Sequence, residues 1–171
     1  MKKFLIISAA FLVLLGVNNC SYASDNGKIQ TISEIGTLSN ADKYDEALKK
    51  CDSAIQKYPD EPELYYWRGA IKSHLGDNLA ALVDYDKAIQ LKPNEGIAYV
   101  MRGISKSDLG DNSGAMKDFN KALEINPKDS SAYSMRACVK IDMGDLQGAN
   151  EDLEIANKLY DESIPKEQPQ K

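Results

Sequence analysis

The sequence predicts an all-α fold of tandem antiparallel helix hairpins, and three observations predict it. The tripeptides Trp67-Arg68-Gly69, Met101-Arg102-Gly103 and Met135-Arg136-Ala137 stand 34 residues apart. Gly-Asp follows seven residues after the third member of each, at Gly76-Asp77, Gly110-Asp111 and Gly144-Asp145. Pro59, Pro93 and Pro127 keep the same period, as do Asp84, Asp118 and Asp152, and Ala47, Ala81, Ala115 and Ala149. A fixed period of this size marks one supersecondary unit copied in tandem. Such an array offers biology an extended binding surface before it offers a catalytic pocket.

The elements of one unit follow in order over Pro62 to Glu95. Pro62 is tolerated in the first turn of a helix that runs to Leu75. Gly76 supplies the left-handed residue that ends it, and Asp77 caps the next helix. From Asn78 to Leu91 the apolar residues Leu79, Leu82, Val83, Tyr85, Ala88, Ile89 and Leu91 recur with helical spacing. Lys92-Pro93-Asn94 stops that helix and opens the next unit. Residues 96–129 repeat the plan, and residues 130–161 repeat it without the outer proline, which Asp161 replaces. A partial unit over 28–61 precedes them. Its second helix is marked by Lys43-Tyr44-Asp45-Glu46-Ala47, Ala54 and Pro59, whereas its first helix, near Ile29 to Leu38, is degenerate; residues 24–41 form an N-terminal segment that includes it.

An antiparallel hairpin turning at Gly76-Asp77 sets Gly69 opposite Asp84 and Tyr85. Gly69, Ala81 and Ala88 then let the two backbones approach, as do Gly103, Ala115 and Ala122, and Ala137, Ala149 and Ala156. Tyr65, Tyr99 and Tyr133 fill space between hairpins. The same geometry sets Arg68 level with Asp84, Arg102 with Asp118 and Arg136 with Asp152, which are read as structural pairs.

The ends of the chain have other signatures. Lys2 and Lys3 precede an apolar run from Phe4 to Val17, and Ser21-Tyr22-Ala23 offers small residues for cleavage. Residues 1–23 are therefore expected to be a signal peptide, with export to the periplasm or beyond. Cys20 leaves an alternative open: a cysteine after an apolar run suits lipidation, as in bacterial lipoproteins, although Val17-Asn18-Asn19 matches that pattern poorly. Residues 162–171 hold two prolines, mixed charge and one large apolar residue, Ile164, and are expected to be disordered.

Net charge narrows the partners. Losing residues 1–23 removes two lysines and no acid, which takes the formal charge from −5 to −7. Nucleic acid and anionic lipid both need a cationic face, so neither is expected, and membrane association is expected only through lipidation at Cys20. Cys51 and Cys138 lie too many units apart to bridge and are expected to be small buried apolar residues.

The spacing of aromatic, Gly, Gly-Asp, Ala and Pro residues resembles the tetratricopeptide repeat, over about residues 28–161 and most strongly over 42–156. Tyr-Tyr-Trp-Arg-Gly…Leu-Gly-Asp is similar to the Arg-Gly variant common in bacterial repeats. The resemblance implies a right-handed superhelical solenoid of about 3.5–4 units whose first helices line a concave groove. It assigns to that groove Glu63, Tyr66, Ala70, Ser73 and His74, then Ile97, Val100, Ile104, Ser107 and Asp108, then Ser131, Ser134, Cys138, Ile141 and Asp142. An apolar centre edged by serines and acids suits an apolar or aromatic peptide segment with a basic residue near Asp108 and Asp142. The alternative is that these side chains pack only on one another or on a terminal tail. One subgroup of the family binds acidic chaperone C-termini through Lys, Asn and Arg. The corresponding Tyr66, Ala70, Met101, Ser131 and Met135 are none of these, so that ligand class is not expected.

No catalytic, cofactor or metal site is expected. His74, the single histidine, has no nucleophile at a defined spacing, no His/Cys cluster has ligand spacing, and the glycines belong to turns and not to a phosphate loop. The expectation is a non-catalytic, exported adaptor or scaffold that binds a protein or peptide partner. The alternative is a lipid-anchored assembly factor for an envelope complex, and self-association is compatible with either. No small-molecule substrate is expected.

Overall fold

The computed structural model describes residues 19–163, with side chains from Asn26 onward. The described residues form eight helices and no strands: α1 (Asn19–Asn40), α2 (Tyr44–Lys57), α3 (Pro62–His74), α4 (Asn78–Leu91), α5 (Gly96–Asp108), α6 (Asn112–Ile125), α7 (Ser130–Asp142) and α8 (Leu146–Ser163). They make an all-α solenoid in which each odd helix pairs antiparallel with the even helix that follows. Residues 1–18, the greater part of the expected signal peptide, and residues 164–171, the greater part of the expected tail, lie outside the described residues. No described helix is long and apolar enough to cross a membrane.

The punctuation seen in the sequence has a physical counterpart at each inner turn. Gly76, Gly110 and Gly144 adopt φ of 85°, 83° and 82°, a region that costs a residue with a Cβ about 1–2 kcal/mol. The aspartate that follows caps the next helix: Ala80 N donates to Asp77 Oδ1 (3.1 Å), Gly114 N to Asp111 Oδ1 (2.8 Å) and Gly148 N to Asp145 Oδ1 (3.0 Å). The first hairpin lacks both devices. Asp42 occupies the glycine place at φ 58°, and Lys43 stands at the N-cap of α2 with no side-chain cap.

Helix α8 passes the expected boundary of the last unit and continues through Asp161 and Glu162 to Ser163. Asp161 stands where the earlier units have proline, so nothing removes an N–H or collides with the preceding turn. At the other end α1 starts at Asn19, before the repeat frame begins.

Within each hairpin the approach is close enough to exclude a methyl group. A Cβ built on Gly69 would lie 2.9 Å from Tyr85 Cε1, and one on Gly103 would lie 2.8 Å from Phe119 Cε1. In the third unit the position is Ala137, and the residue at the aromatic place is Leu153. Tyr85 and Phe119 are fully buried, a contribution of about 1.5–3 kcal/mol for a phenylalanine-sized side chain. Between hairpins, Tyr65 and Tyr99 are buried and donate to Pro59 O (2.9 Å) and Pro93 O (3.1 Å). Trp67 packs on Gly36 of α1, where an added Cβ would lie 3.3 Å from Trp67 Cζ2.

The last helix presents polar residues where earlier units are apolar. Leu82 and Met116 correspond to Asn150, and Ile89 and Leu123 correspond to Asn157. These replacements suit a face that meets water instead of another hairpin.

Candidate functional site: the face formed by the first helices

Contact between helices defines which face is concave. The first helices of successive hairpins touch: α1 with α3, α3 with α5, and α5 with α7. Among the described residues, successive second helices have no comparably close backbone approach. Packing that is tight along one edge and splayed along the other curves the stack around the first helices. The groove is thus a consequence of packing as well as of family likeness.

Most of the residues assigned to the groove keep solvent-accessible surface there. Ile97 is 40 % exposed and Ile141 47 % exposed, and Asp108, Ser131, Cys138, Asp142 and His74 are exposed. Glu63, Tyr66, Ala70, Ser73, Ile104, Ser107 and Ser134 are half-buried. The His74 ring lies 4.6 Å from the Tyr44 ring, and Asn78 Nδ2 donates to Asp108 Oδ2 (3.3 Å).

Two expectations are corrected. Val100 is 2 % exposed and belongs to the core around Phe119, so it cannot contact a groove ligand. It packs with Phe119 and Leu123 of α6 and Ala132 and Val139 of α7. Cys138, expected to be buried, is exposed, whereas Cys51 is buried as expected. Burial pushes the Cys51 thiol up to about 12, which leaves it protonated and unreactive at neutral pH.

One concavity is better enclosed than the rest. A cavity of about 180 Å³ lies between the start of α3 and the start of α5, lined by Pro62, Glu63, Tyr66, Trp67, Ala88, Lys92, Glu95, Ile97 and Ala98. Its wall is mainly apolar and aromatic, and its charged groups are at the rim. Lys92 Nζ lies 2.6 Å from Glu95 Oε2 and 3.5 Å from Glu63 Oε1. Glu63 Oε2 is buried and takes no N–H or hydroxyl donor. A hydrogen bond between the Glu61 and Glu63 carboxyls holds Glu63 below the usual range and pushes Glu61 above it, even though Lys28 Nζ sits 2.6 Å from Glu61 Oε2. A benzene-sized group fits a cavity of about 150 Å³, so one aliphatic or aromatic side chain can enter.

The structural pairs hold the scaffold behind this face. Arg68 Nε and Nη2 donate to Asp84 (3.0 and 2.6 Å), and Arg102 and Arg136 do the same to Asp118 and Asp152. Each aspartate is buried. Each also accepts a lysine that sequence reasoning missed: Lys72 (2.7 Å), Lys106 (2.8 Å) and Lys140 (2.8 Å). The remaining guanidinium arm reaches the preceding hairpin, where Nη1 donates to Asp52 (2.7 Å), Asp86 (2.6 Å) and Asn120 (2.7 Å). Each guanidinium also stands over a tyrosine ring, Tyr65, Tyr99 or Tyr133, at 5.8, 5.5 and 5.3 Å. Burial pushes the Asp152 carboxyl up, but Arg136 and Lys140 outweigh it and hold the group below its usual range. The signal for the lysines was present, since 72, 106 and 140 keep the same period as the arginines. Trp67, Glu61, Lys92 and Glu95 were also missed as site residues. Their roles depend on how one hairpin leans on the next.

Among the described residues no group of three or more His, Cys, Asp or Glu side chains gathers to hold a metal ion. The tetratricopeptide repeat pattern matches residues 62–95 and 97–129. No curated protein matches the chain in sequence. MamA 41-end from Desulfovibrio magneticus RS-1 superposes with a TM-score of 0.72 at 16 % identity, covering 81 % of this chain and 78 % of that chain. TTC0263, a thermophilic TPR protein in Thermus thermophilus, gives 0.72 at 21 %, covering 78 % and 75 %. The first TPR of Spaghetti (RPAP3), bound to the HSP90 peptide SRMEEVD, gives 0.66 at 22 %, covering 68 % and 93 %. At such identities the likeness to these structures is one of fold.

Proposed function

We propose that this chain, two of whose units match the tetratricopeptide repeat, is a non-catalytic adaptor that binds a segment of a protein partner across its first helices. The observation that carries this reading is the half-open apolar strip on that face, Tyr66, Ile97, Ile104 and Ile141, interrupted by serines and edged by Asp108 and Asp142. Rigid helices present such a strip at low ordering cost, because little of the scaffold has to be immobilised on binding.

The peptide held by the RPAP3 domain ends in acidic residues. That chemistry does not transfer. Tyr66, Ala70, Met101, Ser131 and Met135 supply no cation for a terminal carboxylate, and the acids on this face repel one. A segment with apolar and basic side chains suits it instead.

The test is photo-crosslinking. A photoreactive residue at Ile104 or Ile141 is expected to trap the partner, whereas one at Lys117 or Glu151, on the second helices, is expected not to. Trapping only from the second helices would move the binding surface to the convex side.

Residues 1–23 support placing this activity in the cell envelope after export. Mass spectrometry of the processed N-terminus separates the two routes: a chain beginning at Ser24 means cleavage, and a diacylglyceryl group on Cys20 means a lipid anchor.

A further inference from the structure

We infer that the open end of the last hairpin is a two-fold docking face for a second copy of this chain, formed by Leu146, Asn150, Leu153, Asn157 and Tyr160 along α8. The inference stands apart from the groove reading, because this seam lies on a second helix.

Earlier units show which side chains meet the next hairpin. Asn78 Nδ2 donates to Asp108 Oδ2 (3.3 Å), one hairpin on. Phe119 and Leu123 of α6 share a core with Ala132 and Val139 of α7, and Met116 packs against it. Lys92 reaches Glu95 at the N-cap of α5 (2.6 Å). In the last unit these places hold Leu146, Asn150, Leu153, Asn157 and Tyr160, which therefore face where a further hairpin would stand. In the single chain this face meets water, yet not every place on it turned polar. Met116 and Leu123 give way to Asn150 and Asn157, but Asn78 and Asn112 give way to Leu146, and Lys92 and Asn126 to Tyr160. Leu146 and Tyr160 are each 62 % exposed. Asn150 and Asn157 are exposed as well, and Leu153 is half-buried.

The spacing points to what covers the seam. Its five positions alternate at four and three residues, the repeat of paired helices, with asparagine at one place and an apolar residue at the other. The order Leu-Asn-Leu-Asn-Tyr also reads alike from either end about Leu153. A two-fold axis through the seam therefore sets asparagine on asparagine and apolar on apolar, whether the copies run parallel or antiparallel. Facing amides satisfy each other's donors and acceptors, and an asparagine in such a seam specifies register and copy number. An apolar helix of a foreign protein would bury both amides without partners, which is costly. Residues 164–171 hold one large apolar residue, Ile164, and cannot cover three. Ile164 stands seven residues after Asn157, at the next place of the same spacing. A contact that uses the same patch on both copies closes at two. Such a pair carries two groove faces, so a partner that presents its segment twice is held by both.

Sedimentation velocity of the protein, purified in the form that accumulates in the cell, measures the pairing from about 5 to 500 µM. The seam is small beside a standard interface of about 20–30 residues a side, so a monomer–dimer equilibrium with a dissociation constant on the order of 10–100 µM is expected. The double variant Leu146→Glu/Tyr160→Glu, at two exposed positions, is expected to weaken pairing at least about tenfold with an unchanged circular dichroism spectrum. Leu153→Cys in a Cys138→Ser background is expected to give a disulfide-linked dimer on mild oxidation, because Leu153 meets its own copy in either orientation. Glu151→Cys in the same background, on the convex side, is expected to give none. A monomer at every concentration, a dimer untouched by the two glutamates, or equal cross-linking from positions 153 and 151 overturns the inference. So does a chain that stays monomeric alone and is trapped by a different protein through a photoreactive residue at Tyr160. Groove capture from Ile104 is expected to survive Leu146→Glu/Tyr160→Glu, so failure of the seam and failure of the groove are separately visible.

Discussion

Replacing Arg102 with alanine isolates the contribution of one buried ion pair. In the parent, Arg102 gives two hydrogen bonds to Asp118, at 2.9 and 2.6 Å, and a third to Asp86 at 2.6 Å. The Asp118 side chain is 5 % exposed, whereas that of Asp86 is 63 % exposed. Loss of the Asp86 contact therefore costs at most about 1 kcal/mol, as at other surface pairs. Loss of the Asp118 contacts leaves a carboxylate in the interior, for which about 3–5 kcal/mol is usual. Lys106 remains 2.8 Å away on the same carboxylate, so the lower end applies, about 3 kcal/mol. With a urea slope of about 2 kcal/mol per molar, the midpoint falls by about 1.5 M. Far-UV circular dichroism during urea titration measures it, with Asp86→Ala as the surface control. The double variant Arg102→Met/Asp118→Leu, which removes both charges, is expected to recover most of the loss. A midpoint for Arg102→Ala within error of the parent would refute the claim that this pair is a structural clasp.

Three further outcomes follow from the same structure. Gly103→Ala is expected to destabilise by about 1–2 kcal/mol, because the ring of Phe119 has no room for the methyl; Phe119→Leu should relieve the clash, as Leu153 does opposite Ala137, and a double-mutant cycle by thermal melting tests the coupling. Restoring the turn signal of the other hairpins with Asp42→Gly and Lys43→Asp is expected to stabilise by about 1 kcal/mol through relief of the positive φ and a new N-cap, visible as a higher melting temperature. The Asp152 carboxyl is held below its usual range, so its contribution is complete above its unfolded value of about 3.9 and is lost as pH falls through the lower folded value. The stability gap between parent and Asp152→Asn should hold from pH 7 to about 5 and close below about 4.

Much of the scaffold was legible because the repeat wrote each instruction three times. Gly76, Asp77 and Pro93 announce local backbone events, and three copies raise them above coincidence. The Arg–Asp pairs were legible for the same reason, since a hairpin of known turn fixes which positions stand level. What escaped depends on the rotation between one hairpin and the next. Val100 occupies a nominal groove position, yet the lean of α5 on α6 and α7 buries it. Cys138 looked like a core residue by chemistry, yet it is exposed, as its groove position implies. The cavity over Trp67 draws its walls from three helices and a loop, and no window of sequence shows them adjacent. Lys72, Lys106 and Lys140 are the exception, because their period was visible and their role was overlooked.

The division of labour within each arginine bears on how this chain can change length. The two arms that neutralise buried charge stay inside one hairpin, and only the arm lying near solvent crosses to the hairpin before it. Each of the three blocks that begin at Pro62, Gly96 and Ser130 thus carries its own electrostatic closure. Gain or loss of a whole block strands no interior carboxylate. A cut that falls between Arg102 and Asp118 leaves each fragment holding half of a clasp. Duplication in this lineage is therefore expected to proceed in complete blocks, with breakpoints near the outer prolines.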